Sequence, residues 1–344
     1  MVALIAGVAL ASCAGGSTAS TTTTSTTSST GATGSRPARS AGPDSIEAGV
    51  EPWQMSSPLS RESVVANGAG LTVLGGITPS GSSLSTVSTL NPSTGATAPA
   101  GALADPVHDA AASAVGGKTF DFGGGSPDTV ATVQSITTPS IPPGSAATGA
   151  VAGQLPAPRS DLAVATVPGP GGGRAGTRTY IVGGYDGTNY LPGVLGTDDG
   201  THFTPVASLP VPVRYPAVAT ISGKLFAFGG ETRSPAAATA TTTATDDIQM
   251  VDPASGQTRV VGHLPQALYG ASAFVIGGTA YVAGGQAPGG ATLTTIDAFV
   301  PSTGKVLAAG LLPQADAFAG YATIGSGKGA IGYMVGGEVA SQTG

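Results

Sequence analysis

Six times along the chain an apolar run ends in two adjacent glycines: LTVLGG, TFDFGG, TYIVGG, LFAFGG, AYVAGG and GYMVGG. The first glycine of each pair stands at 75, 123, 183, 229, 284 and 336, giving spacings of 48, 60, 46, 55 and 52 residues. A strand signal with a fixed ending at an interval near 50 residues is the mark of a propeller array of small sheets. No other feature of the chain constrains its fold as tightly.

The rest of each unit repeats as well. Leu-Pro precedes four of the runs, at 155–156, 209–210, 264–265 and 312–313. A small-residue strand follows, such as AVATI at 217–221, and then a tight glycine turn such as 222–223 or 277–278. Two strands joined this way form a hairpin. Beyond the diglycine a polar loop leads to a third strand and to a turn of the form NPSTG (91–95), DPASG (252–256) or VPSTG (300–304). Proline early in a turn and glycine late in it suit the dihedrals such a turn needs. Each unit therefore predicts four short strands, called a to d, with strand b ending in Gly-Gly.

Composition points the same way. The 344 residues include 55 Gly and 27 Pro, and no window carries a 3.6-residue apolar stripe, so the expected class is all-β. The net charge is −6 and no block of Lys or Arg occurs, which removes the basic footprint that a nucleic-acid partner needs.

On these motifs the chain resembles the Kelch-repeat β-propellers over about residues 50–338. Trp53, in EPWQM, matches that family's strand-d tryptophan, whereas Phe203, Val260 or Leu307 stands near that position in other units. The resemblance implies a six-bladed propeller. Only seven residues follow Gly337, too few for strands c and d of a sixth blade, while the strand-d-like VEPWQM precedes any strand a. The N-terminal segment is thus expected to complete the last blade and leave no open edge. The alternatives are an incomplete or a seven-bladed ring. A phosphate-loop reading of the diglycines fails, because none is followed by Lys-Ser/Thr and a helix. GSGKGAIG at 325–332 reads as a hairpin turn.

The first twelve residues form an apolar run before Cys13, the only cysteine, and LASC resembles the lipobox of bacterial lipoproteins. That resemblance implies a signal peptide over 1–12 and a lipidated (palmitate- and diacylglycerol-bearing) Cys13. Residues 13–43 would be a tether and 44–344 the propeller, held on the extracytoplasmic face of the cell membrane. Thirteen of the fourteen residues 17–30 are Ser or Thr, which bury nothing and favour a disordered linker. With Cys13 assigned to the lipid, the propeller has neither a disulfide nor a thiol nucleophile.

Topology also locates a functional face. The start of strand a and the end of strand b lie at one edge of a blade, so the residues before each a and after each Gly-Gly ring one mouth. Counting 14 or 15 residues back from the diglycine gives Arg61, His108, Arg214 and Tyr269. Arg159 joins them once the insertion at 168–178 is allowed for, and Ala317 or Phe318 comes from the last unit. After the glycines come Ser126, Tyr185, Asp186, Glu231, Arg233, Gln286 and Glu338. Arginine forks suit carboxylates, sulfates or sugar hydroxyls. In the Kelch family, arginines at this position also hydrogen-bond neighbouring blade backbones.

The expected function is a binding propeller, monomeric, with a carbohydrate or a cell-envelope protein at the arginine-bearing mouth and no metal or other cofactor. The resemblance also admits a sugar-modifying enzyme of the sialic-acid mutarotase or epimerase kind, with Glu231, Glu338 and His108 as acid–base groups. Copper oxidase chemistry of the galactose-oxidase type needs a Tyr–Cys cross-link that Cys13 cannot supply. His108, His202 and His263 fall at different repeat positions, so a shared metal is not expected.

Overall fold

The structure is a computed structural model. It describes residues 46–168, 176–233 and 241–339, together with the backbone of 6–12. Cys13 and the whole Ser/Thr-rich segment lie outside the described residues.

The chain forms a β-propeller. Near the N-terminus are β1 (Ala6–Ser12) and β2 (Ile46–Gln54). The first sheet follows with β3 (Ser63–Asn67), β4 (Gly70–Leu74), β5 (Leu84–Leu90) and β6 (Thr97–Val107). The second has β7 (Ala111–Val115), β8 (Lys118–Phe122), β9 (Thr132–Thr137) and β11 (Ala150–Gln154). Its β10 (Ala147–Thr148) instead pairs parallel to β6 and covers the first sheet's outer edge. The third comprises β12 (Ala163–Pro168), β13 (Thr177–Val182), β14 (Gly193–Thr197) and β15 (Thr204–Ser208).

The fourth sheet is β16 (Ala217–Ile221), β17 (Lys224–Phe228), β20 (Asp247–Asp252) and β21 (Gln257–His263). Between its second and third strands stands a separate hairpin of β18 (Glu231–Arg233) and β19 (Thr242–Ala244). The fifth is β22 (Ser272–Ile276), β23 (Thr279–Ala283), β24 (Thr295–Val300) and β25 (Lys305–Leu311). β26 (Gly320–Ile324) and β27 (Ile331–Val335) begin the sixth. GSGKGAIG forms the turn between them, as its sequence predicts.

The sixth sheet runs β26-β27-β1-β2. β2 takes the outer position expected for the N-terminal segment, and its Trp53 donates from Nε1 to the Pro92 carbonyl at 2.8 Å beside the NPSTG turn. The third position is filled by residues 6–12, which pair antiparallel with β27 on one side and β2 on the other. The segment with a leader-like sequence is thus a sheet strand here.

Each strand b ends one residue before a diglycine, and all twelve of these glycines have positive φ. Their use is mechanical. The second glycine of each pair donates its N–H to a carbonyl that opens the next sheet: Gly76 to Val107, Gly124 to Arg159, Gly184 to Val213, Gly230 to Leu268, Gly285 to Asp316 and Gly337 to Leu59. The backbones come so close that a Cβ on Gly123 would lie 2.0 Å from the Arg159 oxygen. Only glycine combines that approach with that dihedral.

Apolar clusters fill the wedges between neighbouring sheets. Phe228 and Ile248 of the fourth meet Val282 and Phe299 of the fifth. Tyr333 and Val335 of the sixth meet Leu71 and Leu90 of the first. Burying one such side chain contributes about 1.5–3 kcal/mol. The exposed large apolar side chains, Val50, Val151, Val260, Leu307 and Leu311, all lie on outer strands. Val260 and Leu307 therefore do not take over the packing role that Trp53 performs.

Candidate functional site

One residue per sheet, just ahead of strand a, adopts a left-handed backbone: Arg61, Asp109, Asp161, Tyr215, Gly270 and Phe318, with φ between 53° and 65°. Their amides form a cycle. Arg61 donates to Phe318, Asp109 to Arg61, Asp161 to Asp109, Tyr215 to Asp161, Gly270 to Tyr215, and Phe318 to Gly270. Five of the six are not glycine, a conformation that costs about 1–3 kcal/mol each and persists only where the surroundings impose it. The cycle forms the rim of a bore of about 150 Å³, with the next residues of each strand a below it.

Two arginine clusters occupy the rim. Arg61 donates from Nε to Glu338 Oε1 at 2.8 Å and from Nη1 to Asp109 Oδ2 at 3.2 Å and the Tyr215 hydroxyl at 2.8 Å. Tyr215 in turn donates to Asp109 at 3.1 Å. Arg214 donates from Nε to Glu231 Oε1 at 2.8 Å and from Nη1 to Asp161 Oδ2 at 3.3 Å, and Tyr190 also donates to Glu231. Aromatic faces flank both cations, with Phe318 4.5 Å from Arg61 and Tyr185, Tyr190 and Tyr215 between 5.2 and 5.4 Å from Arg214.

Burial works against charge on both guanidiniums, but Asp109 beside Arg61 and Glu231 beside Arg214 outweigh it and raise their pKa. The carboxyls respond in the opposite sense. Burial raises Asp109 despite Arg61, and burial together with repulsion from Asp109 pushes Asp161 up to about 6. Tyr215 is raised well above its usual range, mainly by burial. His108 is lowered by burial and by Arg61, so it is neutral at pH 7. Its Nδ1 lies 2.8 Å from Ser83 Oγ.

The sequence-predicted set divides. Arg61, Arg214, Glu231 and Glu338 meet at the rim as expected, with His108 beside Asp109. Tyr269 contacts Phe318 edge-on and donates to Gln286 Oε1 at 2.9 Å. Arg233 stacks on Tyr190 and holds the Thr188 carbonyl, outside the bore. Asp186 caps its own loop by accepting from the Thr188 and Asn189 amides. Arg159 is buried, and its Nη1 donates to the Gly183 and Gly193 carbonyls at 3.0 Å each. Burial lowers it to about 10. It braces the backbone of the third sheet and does not join the mouth cluster, the structural role that the Kelch resemblance allows.

Asp109, Asp161, Tyr215 and Tyr190 were missed. Allowing 14 or 15 residues back from the diglycine let the count slide onto His108, Arg214 and Tyr269. The residue on the rim stands 14 before the first glycine in four of the sheets. Keeping that number fixed finds Asp109 and Tyr215 directly. Among the described residues, one set of His and Asp ligand atoms lies close enough to share a cation, namely Asp246, Asp247 and His263 of the fourth sheet. There the exposed His263 already hydrogen-bonds Asp246.

No protein-family model and no curated protein matches the chain. Among solved structures, it is similar to the one titled "Structure of YjhT", with a TM-score of 0.59 and 14% identity over 76% of this chain and 87% of that one. A likeness at that identity speaks for the fold, a β-propeller, and leaves the chemistry of the mouth to its own residues.

Proposed function

We propose that the protein is a six-bladed, Kelch-type propeller, closed by its N-terminal strands, that binds a hydroxyl-rich ligand at the arginine-bearing mouth. Support for six blades and closure comes from the two cycles of hydrogen bonds between sheets, each returning from the sixth sheet to the first. The binding reading rests on the rim. Two guanidiniums, four carboxylates and the Tyr215 hydroxyl are held rigid by mutual bonds around a bore. Paired carboxylates accept from vicinal hydroxyls, guanidiniums donate to ring oxygens, and aromatic faces take the apolar side of a sugar. The sugar-modifying alternative for acidic sugars is disfavoured by the same rim, because four carboxylates outnumber the two guanidiniums there.

A glycan array of wild type against Arg61→Ala/Arg214→Ala tests the reading. Loss of at least tenfold in signal on the glycans bound by wild type is the expected outcome. Undiminished signal in the double variant sinks it.

Lipid anchoring at Cys13 on the extracytoplasmic face is the alternative to closure through β1, and it is supported by LASC and by the Ser/Thr-rich stretch after it. No helix among the described residues is long and apolar enough to cross a membrane. Cys13→Ser is expected to release the protein from the membrane fraction, and retention there would contradict lipidation. Processing before Cys13 would also remove β1, so anchoring and a complete sixth sheet exclude each other unless another strand takes that place.

A further inference from the structure

Aligned on the left-handed rim residue, the six units show how the closing contact differs from the others. The residue after it is Ala110, Leu162, Pro216, Ala271 or Ala319 in five units, and Glu62 in the first. The residue two before it is Leu59, Val107, Val213 or Leu268 in four units, Arg159 in the third and Asp316 in the sixth. Arg159 is satisfied by two carbonyls. Glu62 and Asp316 instead stand together where the sixth sheet meets the first. Glu62 Oε1 accepts from the Gly320 amide of the sixth sheet at 3.2 Å. Both side chains are buried, and neither Glu62 Oε2 nor Asp316 Oδ1 has a partner among the described residues. Apolar residues serve at these positions in most other units, so packing does not explain two orphaned acids at one contact.

We propose that the contact between the sixth and first sheets is a pH-sensitive latch, closed while Glu62 and Asp316 carry protons, whose opening on their ionisation parts Arg61 from Glu338. The inference rests on the reading of the ring as closed and is independent of what the mouth binds. Three more bonds cross the same contact. Gly337 donates to the Leu59 carbonyl, the Arg61 amide donates to the Phe318 carbonyl, and Arg61 Nε donates to Glu338 Oε1 at 2.8 Å. The Arg61 guanidinium also lies 4.5 Å from the centre of the Phe318 ring. Glu62 follows Arg61 in the chain and Asp316 lies two residues before Phe318, so a gap opened at the acids is a gap in the rim. The Gly336 backbone packs so closely on Glu62 that a Cβ there would lie 2.3 Å from Oε1. Hydrating a carboxylate at that place requires the two sheets to separate.

The groups around the pair favour opening once it ionises. Glu62 faces Asp316, and Asp316 faces Glu338, so each new charge meets another of the same sign. Arg61 is held on the rim by Glu338 and Asp109. Asp121 of the second sheet is taken up by the Ser63 hydroxyl. From the fifth sheet the Gly285 amide donates to the Asp316 carbonyl. Only backbone amides oppose the shift, those of Glu62 and Gly320 on Glu62 and those of Ala317 and Glu338 on Asp316. Burial outweighs them and raises Glu62 from 4.5 and Asp316 from 3.8, each to about 8. An opened contact restores the ordinary values, so opening becomes easier as pH rises from about 4 to about 8 and levels off above.

The test is amide hydrogen exchange on the full chain at pH 6.5 and 9, read by mass spectrometry and divided by the intrinsic rate of each peptide. Peptides covering 59–64, 316–324 and 331–337 report on the latch. Those covering β17 and β23 report on the contact between the fourth and fifth sheets. In wild type, protection at the latch is expected to fall at least tenfold more than at the fourth–fifth contact when the pH is raised. Glu62→Gln/Asp316→Asn, its folding checked by a thermal melt, should abolish that excess. If the double variant does not fold, Glu62→Gln alone should cut the excess at least threefold. An equal fall at both contacts means that the acids act on the whole ring and overturns the latch, as does an excess that persists in the variants. Latch peptides already unprotected at pH 6.5, beside a protected fourth–fifth contact, overturn closure of the ring together with the latch.

Discussion

Replacing Glu62 by Gln, or Asp316 by Asn, is expected to make the protein more stable at pH 8, by several degrees in Tm. Both carboxyls are buried against the last diglycine. Glu62 Oε1 would lie 2.3 Å from a Cβ on Gly336, and Asp316 Oδ1 would lie 2.1 Å from one on Gly337. Neither Glu62 Oε2 nor Asp316 Oδ1 has a partner among the described residues. Burial raises Glu62 from 4.5 and Asp316 from 3.8, each to about 8.

The sign of the effect follows from linkage. Below the unfolded values both states hold the proton and pH has no effect. Between about 4 and 8 the unfolded chain ionises while the folded one does not, so stability falls as pH rises. Above about 8 both states are ionised and the loss levels off. At about 1.4 kcal/mol per pH unit per group, Glu62 alone costs on the order of 3 kcal/mol by pH 7. Gln removes that cost but leaves an amide N–H unpaired, worth about 1–3 kcal/mol, so the net gain is modest at pH 7 and largest at pH 8. Calorimetric melts at pH 5, 7 and 8.5 read this directly. Wild type should lose Tm along the series and each variant should flatten it; parallel curves would mean that the two acids do not govern the pH dependence.

A chain beginning at Cys13 is expected to melt about 10–20 °C below the full chain. β1 makes six cross-strand pairs with β2 and four with β27, and its loss strands β2 beyond an empty position. At about 0.5 kcal/mol per pair the loss is on the order of 5 kcal/mol. For a domain of this size each kcal/mol corresponds to about 2–4 °C. A synthetic peptide of residues 6–12, AGVALAS, should restore part of the Tm by re-entering the vacant position. If the shortened chain keeps its Tm, the sixth sheet does not depend on β1, and the leader reading of 1–12 gains accordingly. If it loses Tm and the peptide rescues it, those residues are part of the folded ring.

The site shows where sequence reasoning reached and where it stopped. Glu231 and Glu338 were legible because they follow a diglycine, and the end of strand b fixes the face on which such residues lie. Arg159 shares with Arg61 and Arg214 a place just before strand a, yet it turns into its own sheet to serve two carbonyls. Arg61 is itself the left-handed rim residue, Arg214 stands one residue before its own and Arg159 two residues before its own. Glu62 carried no signal, since an acid one residue past an arginine reads as an ordinary surface pair. Its burial exists only because the sixth sheet closes over it.

What the sequence determined by itself was the repeat. Glycine pairs at a period near 50, with strands of five or so residues between them, point to the repeated small sheets of a β-propeller. The tertiary structure decided which residue of each unit faces the bore, because a left-handed kink before strand a rotates the chain by one position. It also decided the protonation of Glu62 and Asp316 and the place of residues 6–12 in the last sheet. The Glu62–Gly320 contact and the pairing of residues 6–12 with β27 join positions more than two hundred residues apart, and local pattern carries no record of them.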